Sequence, residues 1–325
     1  MQRIVGQLPP WMRPNHPILR YLLEKRQTPD SRRGQFTRAL FMILLGFLLL
    51  LIGYANASSL FGENPFDLPI SEMLFKMLFL PTFILQVGLQ LTVLLVTMGA
   101  IGEEKRRQTW DNLRTTTDGA ALALRARWSA AVFYRMRGSL SILLLVRLIL
   151  IGGLLFDLTA FQGEYLNNLT GGVVPDIPLF LSVILLALMM TSSLLLPVTA
   201  LGFDAAFGLL VSTFVQQRTY IVLTQILLTA VRVAIVGGLL FGVEQFRSDV
   251  LDMPDLVVWV LLFVFGVMGD WGISFLYLGF YGQQVWVDVP YSIYLGLAMM
   301  IFVMIQAILT DLILTWAVRR AERQE

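Results

Sequence analysis

Long apolar runs, separated by short polar segments, dominate the chain and predict its elements. A helix needs roughly 20 apolar residues to cross a bilayer. Seven runs approach or exceed this length, at 39–62, 77–102, 139–156, 177–203, 219–243, 256–281 and 290–318. The fourth run can continue to about residue 217, with Pro197 inside it. The pattern therefore predicts an all-α integral membrane protein.

The distribution of basic residues orients these runs. Of the 24 Lys and Arg residues, 19 lie in the three segments 1–38, 102–137 and 319–325. Basic segments flanking membrane spans stay in the cytoplasm. Both termini and the 102–137 segment are therefore expected on the cytoplasmic side, as in a multi-pass protein of the plasma membrane.

This orientation limits the number of membrane crossings but does not fix it. If Arg218 and the basic tail are both cytoplasmic, an even number of crossings separates them, yet three apolar runs lie between them. Asp270 and four glycines make 256–281 the weakest span and suit a re-entrant element. We expect about six transmembrane helices with a re-entrant hairpin. The alternative is eight spans, with two in 178–217.

The remaining polar segments divide the chain further. Residues 1–38 form a cytoplasmic arm in which "NHPILRYLLEKRQ" has the spacing of an amphipathic helix lying in the interface; a basic arm without a further role fits equally well. Residues 39–318 make the transmembrane region, with the cytoplasmic segment 103–137 inside it, and 319–325 is the basic tail. The segment 103–137 is far longer than a simple connection requires.

Composition agrees with the membrane class and limits the chemistry. The chain is 57% hydrophobic and 14% charged, with a mean hydropathy of +0.73, whereas soluble domains carry about 25% charged residues. Because it has no Cys and only one His, His16, disulfides and the usual zinc or haem ligand sets are excluded. The basic residues fit topology and anionic lipid, and we expect no nucleic acid partner.

Catalytic motifs are missing from the sequence. A P-loop needs Gly-Lys-Ser/Thr to hold phosphates, and none of the three Lys residues follows a Gly. Nucleophilic triads lack a base, because His16 is the only His and Cys is absent. We therefore expect no enzymatic activity and no cofactor bound by this chain.

Five ionisable residues fall inside the apolar runs, where each costs roughly 2.5–3.5 kcal/mol at a helix centre. Two interpretations are open. The two arginines can pair with the aspartates across helix contacts, or the five side chains can line a polar cavity or pathway. These residues are Arg147, Asp204, Arg232, Asp270 and Asp311.

The segment "IGEEKRRQTWDNLRTTTDG" at 101–119 predicts a charged helix. Glu103 and Arg107 form an i,i+4 pair of opposite charge, which favours a solvated helix. Trp110 and Leu113 lie on the opposite face, where they can meet headgroups or another protein. Asp118 can cap a second helix that leads into the third span. Two short helices joined by a polar elbow are typical of a docking surface.

This segment resembles a motif of the permease subunits of type-2 ABC exporters. Those subunits carry a Glu-containing motif after their second span, then a coupling helix that fits a cleft on the ATPase. Glu103, Glu104 and Arg106 stand at its acidic-basic start, and "TWDNLRTT" matches its centre, with Asn112 and Arg114 where the family prefers Leu. "HPILRYLLEKR" and "ALGFDAAFGLLVSTFVQQRTY" are similar to the family's interfacial helix and to the end of its fourth helix.

The resemblance implies a membrane-spanning subunit of an ATP-driven exporter. ATP and Mg²⁺ would be bound by separate ABC ATPase subunits, and the permease would pair with a second copy or a paralogue in the bilayer. A re-entrant element before the last span is also implied. The alternative is a non-transporting scaffold subunit of a larger membrane complex. The expected ATPase-coupling face consists of Glu103, Glu104, Arg107, Trp110, Leu113, Asp118, Leu122 and Arg125.

Overall fold

The described part of the chain is helical throughout. The computed structural model describes residues 9–13, 17–24, 32–58, 70–106, 119–160, 167, 171, 173–215, 217–248, 253–277 and 288–323. All regular structure within these ranges is α-, π- or 3₁₀-helix. Five of the described helices are long and apolar enough to cross a membrane. The predicted class of helical membrane protein is therefore confirmed.

Ten α-helices lie in the described part of the chain and are numbered here in chain order. They are α1 (Pro17–Glu24), α2 (Arg32–Ser58), α3 (Ile70–Met98), α4 (Ala100–Arg106), α5 (Gly119–Ser129), α6 (Arg137–Ala160), α7 (Leu179–Phe214), α8 (Arg218–Arg247), α9 (Asp255–Val264) and α10 (Leu295–Arg323). A π-helical turn, Ala130–Arg135, joins α5 to α6, and another, Phe265–Gly269, extends α9. Short 3₁₀ turns lie at Pro10–Met12, Ser274–Leu276 and Ser292–Tyr294.

The five candidate spans contain α3, α6, α7, α8 and α10. The first predicted span lies in α2, whose segment Gly46–Ala55 is a shorter apolar helix. Helix α3 begins seven residues before the predicted run and includes Glu72 and Lys76. Charged side chains are tolerated in the terminal turns of a span, because they can reach the polar interface, so the helix continues beyond its apolar run.

Helix α7 forms the centre of the bundle. It contacts α3 and α10 most extensively and also touches α4, α5 and α6. It runs unbroken for 36 residues with Pro197 inside it, which corresponds to roughly 54 Å at 1.5 Å per residue. The eight-span alternative requires two crossings in this region. The structure has one continuous helix here, with no break between two crossings.

The apolar run at 256–281 does not form one helix. Helix α9 passes into the π-turn and ends at Asp270, after which Trp271 and Gly272 take positive φ angles of 60° and 74°. A Cβ atom on Gly266 would lie 2.8 Å from Phe275. A positive φ favours glycine at 272, and the close approach of Phe275 leaves little room for a side chain at 266. Gly266 and Gly272 therefore allow the chain to turn tightly inside the protein.

A smaller layer packs beneath one end of the bundle. Helix α5 contacts α10, α7, α1 and the Pro10–Met12 turn. Leu19 of α1 is fully buried, and Tyr134 donates a 2.9 Å hydrogen bond to the carbonyl of Met12. Amphipathic α1 therefore packs its apolar side against protein. The sequence pattern had placed this helix in the membrane interface.

Helices α2 and α8 lie at the outside of the bundle. On α8 only Ile221, Val236 and Val243 are buried. Large apolar side chains are exposed along its length, among them Leu223, Ile226, Leu227 and Phe241. Such a surface is stable in hydrocarbon and not in water, as expected of a membrane protein.

Candidate functional site

The predicted coupling face is described only in part. Four of its members lie outside the described residues: Arg107, Trp110, Leu113 and Asp118. The side chain of Glu103 lies outside them as well. Three members remain. Leu122 and Arg125 are half-buried on α5, and Glu104 lies on α4. The first half of the predicted motif thus stays a sequence prediction, while its second half has a defined geometry.

Glu104, a member of the predicted coupling face, lies inside the protein. Its side chain is buried, with 4% of its surface exposed, and its carboxylate forms a 3.1 Å ion pair with Arg127 of α5. Arg127 also donates a 3.3 Å hydrogen bond to the carbonyl of Ala100. The ion pair joins α4 to α5 inside the protein, because a buried carboxylate needs a cationic partner. The assignment of Glu104 to the ATPase-coupling face stays a prediction.

A second contact fixes α5 to the centre of the bundle. The indole N–H of Trp128 donates a 2.8 Å hydrogen bond to the carbonyl of Gly202 on α7. A Cβ atom at Gly202 would lie 3.3 Å from the Trp128 ring, so the small residue admits the ring. Together with Glu104–Arg127, this bond attaches α5 at two points. Helix α5 and α7 are therefore expected to move as one unit.

A polar node lies deep in the bundle around Arg147, which is fully buried on α6. Its guanidinium donates to the carbonyl oxygens of Ser193 at 2.8 Å, Asp270 at 2.6 Å and Trp271 at 3.4 Å. It also donates to Oε1 of Gln86 at 3.0 Å and lies 5.3 Å from the centre of the Trp271 ring. Helices α3, α6 and α7 and the turn after α9 all meet at this side chain.

Asp270 completes the node without a direct ion pair to Arg147. Its carboxylate accepts hydrogen bonds of 2.8 Å from the backbone N–H groups of Gly272 and Ser274 and so stabilises the turn. Gln86 donates from its amide to the carbonyl of Gly269. Arg147 and Asp270 are therefore close to each other, but their charged groups do not bind each other directly as the charge-pairing interpretation expected. The guanidinium binds carbonyls, and the carboxylate binds amides.

Arg232 and Asp204 form the pair that this interpretation expects. The Arg232 guanidinium on α8 approaches the Asp204 carboxylate on α7 with N–O distances of 3.3 and 3.5 Å. Asp204 is buried and Arg232 is partly exposed. The pair attaches the sparsely packed α8 to the central helix.

Asp311 is different from the other four intramembrane charges. It is exposed on α10 and lines a cavity of about 320 Å³ together with Arg125 of the predicted coupling face. The cavity lies between α5, α7 and α10, beside Trp11. Of the two interpretations, a polar pocket suits Asp311, whereas pairing suits Asp204 and Arg232.

Sequence reasoning missed several residues that organise these sites. Gln86 and Gln90 are both buried and stand four residues apart in an apolar run. Residues at this spacing share one helix face, so the sequence could have identified Gln86 as part of a buried polar site. Arg127 and Trp128 gave no such signal, since their partners Glu104 and Gly202 are distant in sequence. Within the described ranges, no group of three or more His, Asp or Glu residues could hold a metal ion.

Comparison with known proteins adds no relative. No protein-family model, no curated protein and no solved structure matches the chain.

Proposed function

We propose that this chain is the membrane-spanning permease subunit of an ATP-driven ABC exporter. It has six transmembrane helices with α9 and the following turn as a re-entrant hairpin. It pairs with a second permease copy and takes its energy from a separate ATPase that binds the segment 103–128. Both termini are cytoplasmic, and the protein resides in the plasma membrane.

The observation that carries this proposal is the two-point attachment of α5. An exporter of this kind needs a cytoplasmic helix whose displacement reaches the transmembrane bundle. The buried Glu104–Arg127 ion pair and the Trp128–Gly202 hydrogen bond give α5 that connection, since α7 contacts most of the other spans. A loop that served only to connect two spans would not require such attachment.

The broken run after α8 supports the six-span topology. Asp255–Gly269 forms 15 residues of apolar helix, shorter than a bilayer requires. Its end is buried against Gln86 and Arg147, where irregular backbone is stabilised by protein partners. If this segment enters and leaves on one side, α8 and α10 cross in opposite directions and both termini lie in the cytoplasm.

A paired substitution tests the proposed ATPase contact. We expect a Trp110→Ala/Leu113→Ala variant to insert normally but to lose the ATPase that copurifies with the wild-type protein after gentle detergent extraction. The loss should exceed tenfold, because buried aromatic anchors at interfaces contribute about 2 kcal/mol or more. Quantitative mass spectrometry of the purified complexes gives the ratio of ATPase to permease.

The matched control likewise removes one leucine and one aromatic residue, but elsewhere in the chain. Leu179 and Phe180 are 54% and 77% exposed at the opposite end of α7, so L179A/F180A should retain the ATPase. Equal ATPase recovery with the coupling variant would reject this contact face. Purification of the wild-type chain with other membrane subunits and without any P-loop ATPase would favour a scaffold function instead.

A further inference from the structure

The cavity beside Asp311 combines an aromatic wall with two opposite charges. Trp128 lies between Trp11 and Phe133, with ring centres 6.2 and 5.7 Å apart and interplanar angles of 65° and 77°. All three rings line the cavity. The indole N–H of Trp128 is already bound to Gly202, which holds its ring in place. The cavity therefore has a preformed aromatic wall.

Within the described ranges, the two charged side chains of the cavity have no protein partner. Neither Arg125 nor Asp311 forms a hydrogen bond or ion pair with another residue of the described ranges, although both line the same cavity. Asp311 lies in a membrane-spanning helix, eight residues before Arg319, or roughly 12 Å along the axis. A carboxylate at this depth is costly unless a cation or water compensates it. The pocket is thus built for a ligand that supplies charge.

The surroundings of the cavity limit the kind of ligand. Ala307 leaves space on α10 beside Asp311, and the exposed side chains of Met304, Ile308 and Leu312 continue from there along the helix surface. A volume of about 320 Å³ is at the lower end for small-molecule sites. A cavity of this size can hold the polar headgroup of a lipid, while the hydrocarbon chains lie outside the cavity against α10.

We propose that this cavity binds the headgroup of a phospholipid that carries both a phosphate and an ammonium group. The ammonium lies against Asp311 and the aromatic rings, where ring faces and a carboxylate both attract a cation. Arg125 binds the phosphate, for which a guanidinium is well suited. The acyl chains follow the apolar surface of α10.

The lipid would join three helices at the attachment of α5. Arg125 belongs to α5, Asp311 to α10, and Val198 and Thr199 of α7 complete the wall. A bound headgroup therefore bridges two elements through opposite charges. Arg125, which the resemblance placed on the ATPase-coupling face, contributes here to the cavity, and lipid binding there requires no partner protein.

Native mass spectrometry of the full-length protein in detergent tests the proposal. Four lipids with the same acyl chains are titrated: phosphatidylethanolamine, phosphatidylcholine, phosphatidylglycerol and a phosphate-free trimethylammonium lipid. We expect at least one of the first two to bind about tenfold more tightly than either of the others. The difference between the first two distinguishes a primary from a quaternary ammonium.

Two variants separate the two charges. Asp311→Asn should lower the affinity for the preferred lipid to that for phosphatidylglycerol. Arg125→Gln should lower it to that for the phosphate-free lipid, and Arg125→Lys should restore part of the loss. Asp255→Asn and Arg218→Gln change exposed charges outside the cavity and should leave all four affinities unchanged.

Several results would overturn the proposal. Equal binding of all four lipids, or an unchanged preference in D311N, would mean that the lipids only surround the protein. If a variant does not elute as a folded species, competition on the wild-type protein decides. Soluble glycerophosphoethanolamine should displace the bound lipid more effectively than glycerophosphoglycerol, and equal displacement would reject the site.

Discussion

Arg147 shows how a single side chain can hold several elements together in a membrane bundle. Its acceptors come from α3, α7 and the turn after α9, and three of the four are backbone carbonyls. Those carbonyls at 270 and 271 belong to a segment that has left regular helix and needs donors. Arg147 supplies them from α6, so the irregular turn is stable within the protein.

We expect Arg147→Met to destabilise the protein strongly. The substitution leaves the Gln86, Ser193 and Asp270 acceptors without their donor and leaves the Asp270 carboxylate without a nearby cation. Each buried acceptor left without a donor costs about 1–3 kcal/mol. Thermal unfolding in detergent should show a clear fall in midpoint, while the exposed control Arg218→Met should unfold like the wild type. Equal midpoints for both variants would refute the role given to Arg147.

At this scale the sequence located charges but not their partners. The apolar context identified Arg147, Asp204, Arg232, Asp270 and Asp311 as unusual, and Asp204 and Arg232 do pair as one interpretation expected. That Arg147 binds backbone carbonyls could not be foreseen, because every residue offers a carbonyl and only the fold selects one. The ion pair of Glu104 could not be foreseen for a related reason: its partner Arg127 approaches only once α4 and α5 are packed.

At the scale of elements, glycines set how closely the helices approach. Gly208 of α7 faces Thr97 of α3, and Gly296 of α10 faces Leu185 and Met189 of α7. A Cβ atom at either position would overlap a neighbouring helix. Small residues allow close contact between membrane helices, where dispersion forces and packing drive association. The central position of α7 depends on such contacts.

Gly208→Ala should therefore weaken the α3–α7 contact. The added methyl group would collide with Thr97, and such overpacking costs about 1–3 kcal/mol. Gly237→Ala on α8 is the matched control, because nothing lies within 4 Å of its Cβ position. Unfolding midpoints should fall for G208A and stay equal or rise for G237A. The reverse order would contradict this arrangement of helices.

The sequence predicted the long elements well and the irregular ones less well. Apolar runs identify spans because hydrocarbon requires both apolar side chains and internal backbone hydrogen bonding. The ends of spans are less defined, as the early start of α3 shows. The break at Asp270 was anticipated from a charge and glycines within an apolar run. The packing of α1 against protein was not anticipated, since a helix on a lipid surface and a helix on protein have the same amphipathic pattern.

At the scale of the whole molecule, the six-span account fixes which polar ends share a side of the membrane. Arg137 and Glu322 should face the cytoplasm, and Asp255 the opposite side. All three residues are exposed. Since the native chain has no Cys, single cysteines can be introduced without removing any native thiol.

We expect an impermeant maleimide to label R137C and E322C only from the cytoplasmic face and D255C only from the outer face. Sealed inside-out vesicles and intact cells give the two measurements. If the 256–281 run crossed the membrane instead of re-entering, Glu322 would lie opposite Arg137. Labelling of E322C and R137C from different faces would therefore rule out the six-span topology.

On the proposed function, α5 delivers the motion of an ATPase to the bundle, and a photo-crosslink from α5 tests whether an ATPase contacts it. Leu122→Cys, modified with a benzophenone maleimide, places a reactive group on the proposed contact face, with Phe180→Cys as control. The account predicts that native membranes yield, from position 122 and not from 180, crosslinked peptides of a protein containing both a P-loop and an LSGGQ motif. Crosslinks from position 122 exclusively to proteins lacking both motifs would contradict it.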